Sequence, residues 1–101
     1  MKMLMVVFRE SLEEDILRVL RELGVKAFTE LPSVVGAGEA GAAFHSFTSL
    51  GANSIVLTAL SEDQTEQVVK GLRDYRDALS RQQHGAAIPL RVFILPCEQV
   101  V

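Results

Sequence analysis

The chain has 101 residues, 49% of them hydrophobic and 23% charged, a balance that sustains one core and excludes both bulk disorder and a second independent domain. Cys97 is the only cysteine, so neither an intrachain disulfide nor a cysteine-based zinc motif can be written, and the usage points to a reducing, cytoplasmic setting. A net charge of −3 with a pI near 5.3 argues against the uniformly basic footprint of a nucleic-acid binder, and no apolar run approaches membrane-spanning length.

Residues 3–8, MLMVVF, form an apolar run too short for a helix and rich in β-branched and aromatic side chains, which predicts a buried strand. The start passes directly into Arg9 and Glu10 without a small-residue cleavage site, so it reads as strand and not as signal peptide. Ser11 and Glu14 have capping-box spacing, and Leu12, Ile16, Val19, Leu20 and Leu23 then recur at helical intervals up to a stop at Gly24. Glu14 and Arg18 are expected to pair one turn apart on the wet side. A second strand is expected from Val25 to about Leu31, ended by Pro32, which restricts the residue before it. Residues 55–60, IVLTAL, predict a third strand, and Ser61 with Gln64 repeats the capping grammar for a helix running to about Arg81. Its stripe is Val68, Val69, Leu72, Tyr75 and Leu79; Glu66 with Lys70 and Arg73 with Asp77 are expected as exposed pairs, and Gly71 as a mild weakness. A polar turn then leads past Pro89 into LRVFIL, residues 90–95, closed by Pro96.

The order β-α-β-β-α-β in a single domain, residues 1–101, is the pattern of an α+β ferredoxin-like sandwich, with both helices on one face of the sheet. Residues 3–8, 55–60 and 90–95 are apolar at nearly every position, whereas a sheet wet on its other face should alternate. Strand geometry gives that other face about 300 Å² in footprint. Covering it is worth about 8 kcal/mol per subunit before association costs, which predicts an obligate homo-oligomer.

Residues 32–53 form a 22-residue segment where a hairpin needs two to five. It carries one charge, Glu39, and the apolar residues Val34, Val35, Phe44, Phe47 and Leu50 among glycines and alanines, a composition suited to docking or ligand cover. Gly36, Gly38 and Gly41 match G-x-G-x-x-G, but a chain this short cannot hold both halves of a dinucleotide-binding fold. Successive amides in such a loop can still cradle an anion.

Several segments bring the chain close to a known family. Gly24-Val25-Lys26-Ala27-Phe28-Thr29 is similar to the G-x-x-G-F-T entry into the second strand of nitrogen regulatory PII-like signalling proteins. Gly36 and Gly38 match the G-x-G that opens that family's T-loop. Arg91-Val92-Phe93-Ile94-Leu95-Pro96-Cys97-Glu98-Gln99-Val100 resembles its K-I-F-V-x-P-V-E-E-V segment. The resemblance covers nearly the whole chain and implies a ferredoxin-like homotrimer with the 32–53 arm in the T-loop's place. The family's T-G-x-x-G-D-G-K stands here as His84-Gly85-Ala86-Ala87-Ile88-Pro89-Leu90-Arg91, keeping only Gly85 and the final cation, so adenine nucleotide as a cofactor lacks its ordinary motif and the effector is unknown. The arm has no tyrosine to modify, since Tyr75 lies on a helix.

The resemblance implies a cytoplasmic regulator, not an enzyme, that binds a small anionic effector in clefts between subunits. Thr29, Gly36, Gly38, Gly85 and Arg91 are the candidate ligand-binding residues. Through the arm it would act on a regulated protein, such as a membrane transporter or an enzyme, without inserting into the membrane or binding nucleic acid. Two alternatives stand beside it: a ligand-free docking module contacting its partner through Phe44, His45 and Phe47, and a metal-responsive trimer similar to the CutA divalent-cation tolerance protein. The spacing of His45, His84 and Cys97 supplies no metal motif, no catalytic set can be named, and Cys97 is expected to be buried.

Overall fold

The computed structural model describes residues 1–36 and 52–101. Its elements run β1 (Lys2–Arg9), a 3₁₀ turn (Glu10–Leu12), α1 (Glu13–Glu22), β2 (Thr29–Val34), β3 (Asn53–Leu60), α2 (Glu62–Gln82) and β4 (Leu90–Pro96). All strand pairs are antiparallel, in the order β2-β3-β1-β4, so β1 and β3 are central and β2 and β4 are edges. This is the expected βαββαβ ferredoxin-like sandwich.

Alternation along β1 and β3 decides which side is core. Leu4, Val6, Phe8, Val56 and Leu60 are buried against Ile16, Leu20, Val68 and Leu72 of the helices. The intervening Met3, Met5, Val7, Ile55 and Leu57 are only half-buried, and on β4 Phe93 and Leu95 stand 48% and 39% exposed on the same side. The helix-free face is therefore apolar across three strands, as the sequence predicts. The tail after Pro96 leaves Val100 and Val101 exposed and does not shield it.

Both helices end in the same way. Gly24 (φ +88°) donates its N–H to Arg21 O at 3.0 Å while Val25 N–H reaches Leu20 O at 2.9 Å, the paired bonds of a Schellman motif. At the end of α2, His84 N–H reaches Arg81 O at 3.2 Å and Gly85 N–H reaches Ser80 O at 2.8 Å, so His84 occupies the left-handed position at φ +59°.

Several local expectations need correction. The Ser11–Glu14 capping box does not form, because Ser11 lies inside the 3₁₀ turn and α1 starts at Glu13 with no side-chain cap. At α2 the cap is real: Ser61 Oγ accepts from Gln64 N–H at 3.1 Å. The Gln64 side chain instead donates to Gly24 O at 3.2 Å, tying α2 to the end of α1. The second strand begins at Thr29 and runs through Pro32, which an edge strand tolerates; its register slips between Leu31 and Val34, with Ser33 at φ +59°. The exposed ion pairs differ from those the spacing suggests: Arg18 meets Asp15 and Glu22, Lys70 meets Asp74 and Arg76 meets Asp77. Gly71 marks a close approach, since a Cβ there would stand 2.5 Å from Leu23 Cδ1. Cys97 is half-buried and free.

Candidate functional site

The end of the sheet where β1 finishes gathers three chain segments. Arg9 N–H donates to Pro89 O at 3.1 Å, joining β1 to the turn before β4. Glu10 N–H donates to Ala52 O at 2.9 Å, joining β1 to the residue where the 32–53 arm returns. The outgoing limb is held as well, because Ser33 Oγ donates to Glu10 Oε2 at 3.4 Å. Glu10 thus grips both limbs of the arm, and Arg9 stands between them and the 84–91 turn.

Arg91 lies opposite Val7 on the helix-free face, in a row that continues through Ile55 to Leu31. Arg9, two residues beyond Val7, shares that face and is opposite Asn53. Both guanidinium-bearing residues are exposed, and neither has an ion-pair partner among the described residues. Two exposed arginines on one face beside a loop base can take an oxyanion through charge-assisted bonds.

Of the predicted ligand-binding residues, Gly85 (φ +84°) belongs to the helix-ending turn that leads into Arg91, and Gly36 follows β2 on the outgoing limb. A Cβ on Gly36 would meet nothing within 4 Å, so packing among the described residues does not require glycine there. Thr29 is exposed at the start of β2 in the row Thr29–Leu57–Met5–Phe93, on the opposite edge of the sheet from Arg91. Three strand spacings separate those edges, about 14 Å. One chain therefore does not bring Thr29 and Arg91 together. Gly38 and the docking candidates Phe44, His45 and Phe47 lie outside the described residues.

Arg9 and Glu10 are not among the residues that composition and spacing single out. The available signal was a cation and an acid ending the first apolar run, but only the strand order puts that end next to both the arm and the final turn. Among the described residues two groups have shifted titration. Burial, and then the neighbouring Glu13 carboxylate, raise the Glu30 carboxyl above its usual range on the helix side of β2. Tyr75 is pushed up to about 12 by burial and by its 2.9 Å hydrogen bond to Asp15, a contact that joins the two helices. Neither group faces the Arg9–Arg91 side. Among the described residues no group of His, Cys, Asp and Glu side chains is placed to hold a metal ion, and no helix is long and apolar enough to cross a membrane.

Comparison with known proteins agrees with this architecture. The profile of the family described as nitrogen regulatory protein P-II matches residues 1–101. No curated protein sequence matches the chain. Among solved structures, CPII from Thiomonas intermedia, a nitrogen regulatory PII-like protein, is 18% identical in its apo form, with TM-score 0.65 over 92% of this chain and 84% of that one. The same protein bound to ADP, AMP and acetate is 20% identical, with TM-score 0.67 over 93% and 82%. A putative PII-like signaling protein from Thermus thermophilus is 22% identical, with TM-score 0.61 over 92% and 82%. At these identities the likeness establishes the fold.

Proposed function

The chain belongs to the nitrogen regulatory protein P-II family, and from that premise we propose that it is a homotrimeric regulator that binds a small anionic effector between subunits and signals to a partner protein through the 32–53 arm. The separation of Thr29 from Arg91 is the observation that carries this reading. A site using both needs the β2 edge of one copy against the β4 edge of the next, and the apolar helix-free face supplies the reason for copies to associate. Arg9, Arg91 and the Gly85 turn offer the anion its charge, and Glu10 links occupancy to both limbs of the arm. An effector alters the arm only to the extent that it binds one arm conformation better than another.

The related CPII structures, one with ADP and bicarbonate and one with ADP, AMP and acetate, make adenine nucleotides and small carboxylates or bicarbonate the first ligands to try. Sedimentation should give three times the 11.1 kDa chain mass. Calorimetry against ATP, ADP, AMP and bicarbonate should detect at least one ligand, and Arg91→Ala should weaken it about 10- to 150-fold, as loss of a charge-assisted bond of roughly 1.5–3 kcal/mol implies. A monomer at micromolar concentration, or a trimer indifferent to all four ligands, would overturn the reading.

A further inference from the structure

All three methionines of the chain, Met1, Met3 and Met5, fall at alternate positions leading into and along β1. Met3 and Met5 belong to the helix-free face, where Met3 stands between Ala59 and Leu95 and Met5 between Leu57 and Phe93. We propose that the Met3 side chains of three copies, backed by the Met5 side chains, form a thioether site on the three-fold axis for a soft monovalent metal ion, Cu(I). The inference rests on the trimer of the preceding section, because one chain supplies too few sulfurs.

The first support is geometric. Setting the β2 edge of each copy against the β4 edge of the next closes a three-walled ring, and the apolar face of every copy is covered at once only if it looks inward. Four strands at about 4.8 Å spacing, with one such spacing at each junction, make a wall about 19 Å wide, so its midline stands about 5–6 Å from the axis. In the order β2-β3-β1-β4 that midline runs between β3 and β1. A methionine sulfur reaches about 4 Å from its own Cα, so the β1 thioethers of three copies meet at the axis.

Met3 is the better placed of the two. Across the midline it faces Ala59, which is exposed and contributes only a methyl group, whereas Met5 faces Leu57, whose side chain competes for the same axial space. Arg91 pairs with Val7, so its charge enters this face about 7 Å along the strand from Met5 but about 13 Å from Met3. Beyond Met3, Met1 is 51% exposed and leaves a route from solvent at that end of the ring.

The second support is chemical. Thioethers are soft, neutral donors that select Cu(I). Besides the methionines, the Met3 and Met5 rows hold Thr29, Leu57, Ala59, Phe93 and Leu95, with no carboxylate, imidazole or thiol among the described residues. A divalent cation entering there would give up its water with no charged group to replace it, while Cu(I) carries a single charge and bonds to polarisable sulfur. Methionine used only as flexible core filler would give the same packing and no affinity for the ion, and that difference is measurable.

The test uses the assembled protein carrying Cys97→Ser, which removes the one thiol able to compete for the ion. Cu(I) delivered anaerobically against a colorimetric chelator should bind at one ion per three chains and raise the melting temperature; Zn(II) should do neither. Met3→Leu, close in volume, should weaken binding at least tenfold, with Met5→Leu weakening it less and both variants staying trimeric. Ag(I), a redox-inert stand-in, should shift the Met3 methyl NMR signal more than that of Met5. No binding, one ion per chain, or an affinity unchanged in the Met3→Leu, Met5→Leu double variant would overturn the proposal. Sedimentation of the same samples keeps the two readings apart: a monomer removes the trimer on which both depend, whereas a trimer that binds its anionic effector and ignores Cu(I) removes this inference alone.

Discussion

β2 and β4 are both edge strands of one sheet, yet they are built differently. β2 carries Pro32, a register slip and Ser33 in the left-handed region, and no β2 residue is fully buried. β4 is regular over its whole length, pairs residue for residue with β1, and anchors itself through the buried Leu90. Proline, bulges and short irregular edges are the usual means of refusing another strand. One edge of this sheet is therefore irregular and serves as the root of the arm, while the other is regular.

The largest expected effect follows from anchorage. Leu90→Ala empties a buried core position and should cost about 2–4 kcal/mol, whereas Leu31→Ala, at a side chain 41% exposed, should cost under about 1 kcal/mol. Urea denaturation of the two variants measures the difference. Equal losses would mean that the edges are equivalent in the assembled protein, with Leu31 buried by another copy. Next in size is the backbone of β2. A β-branched residue is strained at positive φ, so Ser33→Val should cost about 1–2 kcal/mol and leave Ser33→Gly close to wild type. A tolerated valine would show that the β2 irregularity is soft.

Much of this was legible in the chain and some was not, for physical reasons that differ by residue. The apolar runs at 3–8 and 55–60 and the Ser61 cap are local patterns, and they appear where periodicity puts them. The β2 boundary differs from the expected one because Pro32 ends a central strand but not an edge strand, and edge status is a property of the whole sheet. Gly71 reads locally as a weak helix residue; its role comes from Leu23, 48 positions earlier in sequence, lying against it. The grouping of Arg9 and Glu10 with the arm and the Arg91 turn depends likewise on strand order, which one sequence does not display.

A smaller effect concerns titration, since β2 carries an acid and β4 carries none. Glu30 holds its proton more tightly in the folded chain than its ordinary value of 4.5 implies, because burial and Glu13 disfavour the carboxylate. Its contribution to stability is therefore fully present below pH 4.5 and is lost as pH rises through the higher folded value. Glu30→Gln should raise stability at pH 7 and flatten the pH dependence above 4.5 in thermal melts. A variant less stable than wild type at pH 7 would mean that the carboxylate has a favourable partner in the assembly.

The smallest change in stability should accompany the substitution that abolishes the contrast between the edges. Ile94 is half exposed, so Ile94→Glu gives up part of an apolar contact worth roughly 1.5–3 kcal/mol when complete. It also sets a carboxylate in the groove that Arg73 and Arg76 line, an exposed pairing worth up to about 1 kcal/mol. The two terms nearly offset, and the urea midpoint should move by no more than about 0.5 kcal/mol equivalent. Association of copies should nevertheless weaken, because the carboxylate stands at the β4 edge against which the next copy's β2 edge is set, and sedimentation at micromolar concentration should show a lower mass. An oligomer unchanged by Ile94→Glu would place the neighbouring copy away from the β4 edge.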